Sequence, residues 1–205
     1  MVPNPGPPLL TLTIRHGNAA ESAYAYAGYG FVLCGALGDI DAGYRFGHLA
    51  LKLLEKTNAK ILKARIIFVF NAAIRHWKEH VKETLNPLLE AYQSGIKTGD
   101  IEYAAHSAGY YSVYSYCSGR NLVGLAQELA SYSEAIGRLK QETSLQWNRI
   151  YRQAALNLIR HTEKPCILDG EAYSEEEMLP QHLRARDRNA LYHLYLNKLI
   201  LCYLF

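Results

Sequence analysis

Residues 21–54 read ESAYAYAGYGFVLCGALGDIDAGYRFGHLALKLL, and this stretch decides the fold. Apolar and small residues recur every three or four positions on both sides of the central Gly-Asp pair, which predicts two amphipathic helices joined by a tight turn. Asn18 is the expected N-cap of the first helix, with Glu21 three residues further on in a capping-box arrangement. Asp39 is expected to cap the second helix, and Gly43 to let the two backbones approach closely. The stretch therefore predicts a helical hairpin.

The hairpin pattern recurs along the chain. Helix pairs are expected to begin near residues 20, 60, 100 and 140, a period close to 40. The second pair is expected at about 60–76 and 79–96, and later helices at about 101–117, 122–139, 141–161 and 186–205. The spacing Gly38-x4-Gly43 returns as Gly119-x4-Gly124, 81 residues later. Regular hairpins with small residues at their crossing points favour a solenoid, in which each repeat packs on the next. The predicted fold is all-α, a right-handed α-solenoid of tetratricopeptide-like helical hairpins.

Three segments are expected in this order. Residues 1–8 contain four prolines, which predicts a disordered leader. Residues 9–163 are expected to form the tetratricopeptide-like hairpins. Residues 164–205 change pattern, with an irregular connection and a short acidic helix, capped by Ser174, that lead into a further hairpin. We expect that last hairpin to be truncated after its first helix.

The composition is that of an ordinary globular protein, with 49% hydrophobic and 20% charged residues. A net charge of +3 with interspersed signs gives no argument for binding nucleic acid or a membrane surface. The four cysteines are far apart and form no CxxC pair, which favours buried, reduced thiols in a cytoplasmic protein. The apolar stretch 191–205 is shorter than the roughly 20 residues of a membrane span. Neither a membrane nor a nucleic-acid partner is expected.

Residues 76–80 read HWKEH, which matches the inverted zinc-peptidase signature H-x-x-E-H. In that chemistry two histidines one helical turn apart bind zinc, and the glutamate acts as general base. A third ligand is required, and the candidates Glu142 and Glu163 stand in no supporting motif. The segment also falls at an expected hairpin turn, where His, Lys and Glu are ordinary surface residues. We therefore prefer the interpretation that residues 76–80 are ordinary surface residues of a turn over the interpretation that they form a zinc site. His76 and His80 are kept as metal candidates.

Motifs for nucleotide chemistry are incomplete in this chain. The cluster that opens with Gly28 and Gly30 does not match G-x-G-x-x-G, because Leu33 holds the third glycine position and no strand precedes it. The sequence contains no G-x4-G-K-[S/T] loop, no H-R-D and no D-F-G. We therefore expect no catalytic residue and no cofactor.

Several stretches resemble one family: residues 21–26 (ESAYAY), 38–41 (GDID), 70–80 (FNAAIRHWKEH), 87–92 (PLLEAY), 132–136 (YSEAI), 147–153 (WNRIYRQ) and 196–205 (LNKLILCYLF). They are similar to the helical region of large bacterial, especially cyanobacterial, multisensor kinases. In that family a serine/threonine kinase domain and an AAA-type ATPase precede the helical region, and a GAF sensor and a histidine kinase follow it. The family's ATP-binding and phospho-acceptor residues lie in those other domains.

The resemblance implies a non-catalytic scaffold or regulatory segment of a multidomain signalling kinase, which contacts proteins. A standalone peptide- or protein-binding repeat module is the second alternative, and a zinc hydrolase that uses residues 76–80 is the third. The candidate docking surface is the tyrosine-rich helix expected over residues 101–117. Tyr103, Tyr110 and Tyr114 share one face of it by helical phase, and Tyr111 flanks that face.

Overall fold

The computed structural model describes residues 8–160 and 164–205, and within these ranges the chain is built from α-helices. Their bounds are α1 Pro8–His16, α2 Ala20–Gly35, α3 Ile40–Thr57, α4 Lys63–Val69, α5 Leu85–Thr98, α6 Ile101–Cys117, α7 Leu122–Arg138, α8 Glu142–Ile159, α9 Glu175–Ala185 and α10 Arg188–Leu204. The one β-type pairing in the described ranges is an isolated bridge between Asp169 and Ser174. The all-α prediction is confirmed for these residues, and the right-handed solenoid stays a prediction.

The chain forms two units, Met1–Ser107 and Ala108–Phe205, and the division falls inside α6. Residues 1–7 of the predicted leader lie outside the described residues. Pro8 begins α1, which the sequence did not predict as a helix. Among the described residues, no helix combines the length and apolar character that crossing a bilayer requires.

The turn and the second cap of the predicted first hairpin are confirmed. Gly38 has a φ of +71°, and the Asp39 carboxylate accepts a hydrogen bond from the Ala42 N–H at 3.0 Å. The prediction for the first cap is wrong, because Asn18 is not the N-cap residue of α2. Ala19 holds the N-cap position of α2, and its N–H donates to the Ser22 hydroxyl at 2.9 Å. The Asn18 side-chain oxygen instead accepts from the Tyr26 hydroxyl at 2.8 Å, so it is unavailable to the helix backbone.

The close approach of α2 and α3 takes place at glycines. A Cβ added to Gly30 would lie 2.7 Å from the carbonyl oxygen of Gly43, and one added to Gly43 would lie 2.7 Å from the carbonyl oxygen of Gly30. The predicted role of Gly43 is confirmed. The prediction that Gly119 and Gly124 repeat the roles of Gly38 and Gly43 is only half right. Gly119 turns the chain with a φ of +72°, but a Cβ on Gly124 would come no closer than 3.8 Å to another residue, so no close helix contact requires that glycine.

The next predicted pair, residues 60–76 and 79–96, is more broken than expected. A 3-10 turn (Lys60–Leu62) leads into α4, a π-helical turn (Phe70–Ile74) follows α4, and a 3-10 turn (Arg75–Trp77) ends the segment. A further 3-10 turn (Val81–Thr84) leads into α5. Pro87 lies in the first turn of α5, where its missing N–H would have no helical acceptor, and so the helix begins there instead of at residue 79.

Each unit has its own apolar core. In the first unit α2 pairs with α3 and α4 pairs with α5. Their buried side chains are Ala23, Tyr26, Ala27, Ala50, Leu53, Leu54, Ile66, Ile67 and Ala91. In the second unit α8 packs against α7 and α10, and α10 also contacts α9. The cluster there consists of Ile150, Ala154, Leu168, Tyr173, Leu194 and Leu201.

The connection between α8 and α9 is irregular, as the sequence predicts, and it is tied to α8. The Asn157 side chain donates to the carbonyl oxygens of Pro165 and Ile167 at 2.9 and 2.7 Å. Ser174 caps α9 through the Glu177 N–H, which confirms the predicted start of the acidic helix.

Candidate functional site

The two histidines of residues 76–80 do not lie on successive turns of one helix. His76 belongs to the short 3-10 turn Arg75–Trp77, and the backbone has left the helical conformation at Lys78. His80 is extended, with φ −64° and ψ 139°, and its Nδ1 accepts the Lys82 N–H at 3.1 Å. The zinc-peptidase signature requires both histidines on one helical face, and the local backbone does not provide that arrangement.

Both oxygens of the Glu79 carboxylate are already used. Oε2 accepts from Nε and Nη2 of Arg75 at 2.8 and 2.7 Å, and Oε1 accepts from the Tyr44 hydroxyl. These hydrogen bonds, the one from Arg75 first, lower the pKa of Glu79 below its usual value. A general base needs the opposite shift, towards the working pH. Because Tyr44 lies on α3, Glu79 fastens the segment after the π-helical turn to that helix.

The other predicted metal candidates do not complete a site. The described residues hold no group of three or more His, Cys, Asp or Glu side chains placed to bind a metal ion. Glu142 accepts a hydrogen bond from Gln146, and Glu163 lies outside the described residues. Burial lowers the pKa of His76, whose ring centroid lies 5.4 Å from that of Trp77.

Tyr103, the docking candidate in the first unit, is half-buried. Its hydroxyl shares a 2.8 Å hydrogen bond with the Tyr24 hydroxyl, and the Arg65 guanidinium lies 5.1 Å from its ring centroid. Burial, followed by the hydrogen bond to Tyr24, raises the pKa of Tyr103. Arg65 also binds the Asp100 carboxylate at 2.7 Å, so the start of α6 is linked to α4 through this arginine.

The three other docking candidates belong to the second unit. Tyr110 and Tyr114 are half-buried and meet edge to face, with 5.6 Å between ring centroids. Tyr111 is only 4% exposed; it donates to Glu128 at 2.6 Å and accepts from Arg120 at 2.8 Å. Through these hydrogen bonds the buried Tyr111 side chain joins α6 to α7 and to the turn between them. The docking face itself stays a prediction.

The first unit also contains a groove that the sequence did not predict. Its volume is about 690 Å³, and residues of α3, α4 and α5 line it. Leu54, Ile67 and Phe70 supply apolar surface. The charged lining side chains are Lys60, Lys63, Arg75 and Lys97, which are cationic, and Glu55 and Glu90, which are anionic. Lysines and leucines at helical spacing occur on any amphipathic helix, so no sequence signal marked this groove.

The groove is positively charged because its charges are only partly paired. Lys63 and Glu90 form an ion pair at 2.6 Å, and Arg75 is bound to Glu79. With these two ion pairs set aside, Lys60 and Lys97 face the single carboxylate of Glu55, which leaves a net excess of one positive charge. An apolar surface flanked by lysines suits an acidic amphipathic segment better than a basic one.

Comparison with known proteins gives one likeness. Over 98 residues, 47% of this chain, the sequence is 26% identical to the hybrid signal transduction histidine kinase G of Dictyostelium discoideum. The chain spans a very small part of that kinase, 3% of its length. No protein-family model matches the chain. No solved structure matches it. Over about half its length, the chain is thus similar to a short part of a signal-transduction kinase.

Proposed function

We propose that this chain is a non-catalytic helical scaffold or regulatory segment of a cytoplasmic signal-transduction kinase. It acts through contacts with other domains of that kinase or with signalling partners. The observation that carries the proposal is the likeness to a signal-transduction histidine kinase over 98 residues. The proposal includes a fold, a right-handed, tetratricopeptide-like solenoid with a period near 40 residues. It also includes a position in a longer polypeptide, next to AAA-type ATPase, GAF and kinase domains.

The groove of the first unit supports a contact-making role. An amphipathic helix or extended segment binds such a groove by placing its apolar side chains on the floor and its acidic ones against the lysines. The net excess of positive charge selects acidic segments and speeds their association, an effect that weakens as salt screens the charges. The segment's role is then to hold two parts of the kinase in a fixed relation.

The kinase context is tested by isolating the polypeptide that contains this sequence. An antibody raised against the chain is used for precipitation from cells, and mass spectrometry identifies the covalent and bound partners. We expect kinase and ATPase domains in the same polypeptide or in stoichiometric complex with it. Recovery of a 23.1 kDa chain with no kinase attached would contradict the proposal.

The regulatory role is tested by charge reversal in the groove of that kinase. Lys60→Glu combined with Lys97→Glu should change the rate of autophosphorylation several-fold, because both lysines line the groove. Lys52→Glu combined with Lys56→Glu is the matched control, since both lysines are exposed on α3 and neither lines the groove. Equal rates for the groove variant and the control would remove the groove from the proposal.

A standalone peptide-binding module is the second candidate, and the groove favours it too, because it lies entirely within the first unit. Binding of acidic peptides by the isolated chain, together with no kinase in the precipitate, would select this alternative. The same Lys60→Glu and Lys97→Glu changes should then weaken peptide binding at low salt, with the double variant Lys52→Glu and Lys56→Glu again as the control.

A further inference from the structure

Helix α10 buries one of its faces in the second unit. It packs against α8 and α9, and Ala190, Leu194 and Leu201 along that face are 0% exposed. Lys198, at the side of the helix, binds the Glu175 carboxylate of α9. Because an α-helix turns by about 100° per residue, the side of α10 opposite these leucines points away from both neighbouring helices. One side of α10 is thus fixed in the core of the unit, and the other is open to solvent.

The open side of α10 carries large apolar side chains at helical spacing. Tyr192, Tyr195, Leu199 and Tyr203 follow one another at steps of three or four residues, and together they are called the α10 stripe. Their exposed fractions run from 51% for Tyr195 to 86% for Tyr203. A helix on the surface of a globular protein normally turns charged side chains towards solvent. A contiguous apolar face that is exposed instead marks a contact surface.

The α10 stripe is large enough to hold two chains together. An aromatic side chain buries roughly 150–250 Å² when it is fully covered. At the observed exposures, the stripe residues with Leu204 and Phe205 beside them can bury about 600 Å² per chain. Two chains packed through this surface would then bury about 1,200 Å², which is the lower end of the range for specific protein interfaces.

The charges at the stripe suit a second copy of the same helix. Between residues 189 and 205, the ion-paired Lys198 is the single Lys, Arg, Asp or Glu of the sequence, so two copies can meet without like-charge repulsion. Arg188 is exposed one helical turn before Tyr192, on the same side of α10. A parallel pair of helices would set two such arginines side by side. An antiparallel pair brings each guanidinium to Tyr203 of the other copy, where a cation–π contact is favourable, and it also opposes the helix dipoles.

We propose that the α10 stripe is a homodimer surface, on which α10 of a second copy packs antiparallel about a two-fold axis. A two-fold interface uses the same patch on both chains, and one apolar stripe supplies that patch. A lipid surface is a poorer occupant, because helices that lie on membranes combine their apolar face with many lysines and arginines. The proposal goes beyond the contact role of the groove in the first unit and does not depend on the kinase context.

Analytical ultracentrifugation of the full chain measures the association directly. We expect a monomer–dimer equilibrium with a Kd of about 1–100 µM, because the interface is small. A chain that stays monomeric at concentrations tenfold above this range would overturn the proposal. Flotation with phosphatidylcholine vesicles tests the lipid alternative, and a monomer that floats with the vesicles would equally overturn it.

Single substitutions locate the dimer contact. Leu199→Lys buries a charge in the middle of the interface and should weaken dimerisation at least roughly tenfold. Val123→Lys is the matched control, because Val123 is 52% exposed on α7, outside the stripe, and it should dimerise as the unaltered chain does. Circular dichroism checks that both variants keep their helices, and Tyr195→Lys replaces Leu199→Lys if that variant unfolds. Equal dimerisation of the stripe variant and the control would contradict the proposal.

Crosslinking through cysteines tests the antiparallel orientation. If Arg188 faces Tyr203, the two-fold axis passes near Tyr195, and the exposed Cys202 thiols of the two copies lie about 20 Å apart. In a Cys117→Ser background, which lacks the other exposed cysteine, mild oxidation should therefore give no disulfide-linked dimer. Adding Tyr195→Cys to that background should give one, because the new thiols flank the axis. A disulfide between two Cys202 residues, or none through position 195, would overturn the antiparallel arrangement.

Discussion

Gly30 and Gly43 bring the backbones of α2 and α3 into direct contact. The interaxial distance of packed helices is commonly 8–10 Å and depends on the side chains at the crossing. Here neither helix carries a side chain at the crossing, and a Cβ on either glycine would lie 2.7 Å from the opposite carbonyl oxygen. The cluster around Cys34, Phe70 and Ile74 packs beside this crossing. A side chain added at the crossing would therefore also disturb the packing of this cluster.

Gly43→Ala should lower the free energy of unfolding of the first unit by about 1–3 kcal/mol, because the added methyl forces the helices apart. Gly28→Ala is the control on α2: its Cβ would have nothing within 4 Å, and replacing a helical glycine should raise stability by roughly 0.5–1 kcal/mol. Urea unfolding followed by circular dichroism measures both. Equal stability of the two variants would show that the backbones are not in contact at Gly43.

His193 is a buried titratable group in the second unit. It is 8% exposed, and its Nδ1 lies 3.1 Å from the Tyr151 hydroxyl. The Trp147 and Tyr151 ring centroids are 5.3 and 5.5 Å from that of the imidazole. Burial lowers the pKa of His193 to about 4, although the negative charge of Asp187 opposes the shift. The imidazole is therefore neutral in the folded chain at neutral pH.

The second prediction concerns the effect of His193 on how the stability of the chain depends on pH. Between about pH 6.5 and 4 the unfolded chain binds a proton at His193 that the folded chain does not, so stability falls as the pH falls. For this group alone the loss between pH 7 and pH 5 is about 2 kcal/mol. His193→Gln, which cannot titrate, should show a pH dependence smaller by that amount in urea unfolding. A slope identical to that of the unaltered chain would mean that His193 titrates normally in the folded state.

At the scale of elements, the start of α2 lacks a side-chain cap. Its N-cap residue is Ala19, with φ −105° and ψ 176°, and no side chain accepts from the first N–H groups of the helix in the way that Asp39 does for α3. The backbone at Ala19 already has the extended conformation that capping residues adopt, and the residue is exposed. A short polar side chain therefore fits this position without rearrangement.

Ala19→Asp should raise the free energy of unfolding by about 1 kcal/mol, because its carboxylate can accept a backbone N–H of the first turn. Asn18→Asp, one position earlier, adds the same charge and keeps an acceptor for Tyr26, so it separates capping from the charge effect. Thermal unfolding of the two variants measures the difference. If Asn18→Asp stabilises the chain equally, charge rather than capping is responsible.

The sequence predicts regular helices well and broken ones poorly. The bounds of α6, α7 and α10 fall within about two residues of their predictions, because helical periodicity and Gly or Asp turns are local signals. The π-helical turn Phe70–Ile74 has no such signal, since its residues are apolar at helical spacing. It depends on tertiary packing and on the buried Asn71 amide, which donates to the Ile67 carbonyl oxygen at 2.8 Å. The predicted burial of the four thiols is wrong for the same reason: Cys34 is buried, but Cys166 is half-buried, and Cys117 and Cys202 are exposed.

At the scale of the whole molecule, two units each have an apolar core, and helices are nearly the sole regular structure of the described ranges. The Tyr151 ring in the second unit and the Phe70 ring in the first are each almost fully buried. Large aromatic side chains contribute a great deal of buried area, which favours cooperative unfolding of each core.

Helices, with the 3-10 and π-helical turns included, make up 81% of the described residues, which sets a direct expectation for the purified chain. Far-UV circular dichroism should give a helix content near this value, with deep minima at the helical wavelengths and a sharp loss on heating. A spectrum with substantial β-structure, or a helix content below about half, would contradict the architecture and every proposal that depends on it.

The π-helical turn also keeps side chains that are four residues apart on the buried side of the segment. In a straight α-helix a step of four residues overshoots a full turn by roughly 40°, so side chains four apart wind gradually around the axis. A π-helical turn needs more residues to close, and a step of four falls short instead. The two deviations have opposite signs, which lets Ile66, Phe70 and Ile74 all stay at most 1% exposed. Removing one residue here would rotate everything beyond it by about 100°, turning Ile74 out of the core.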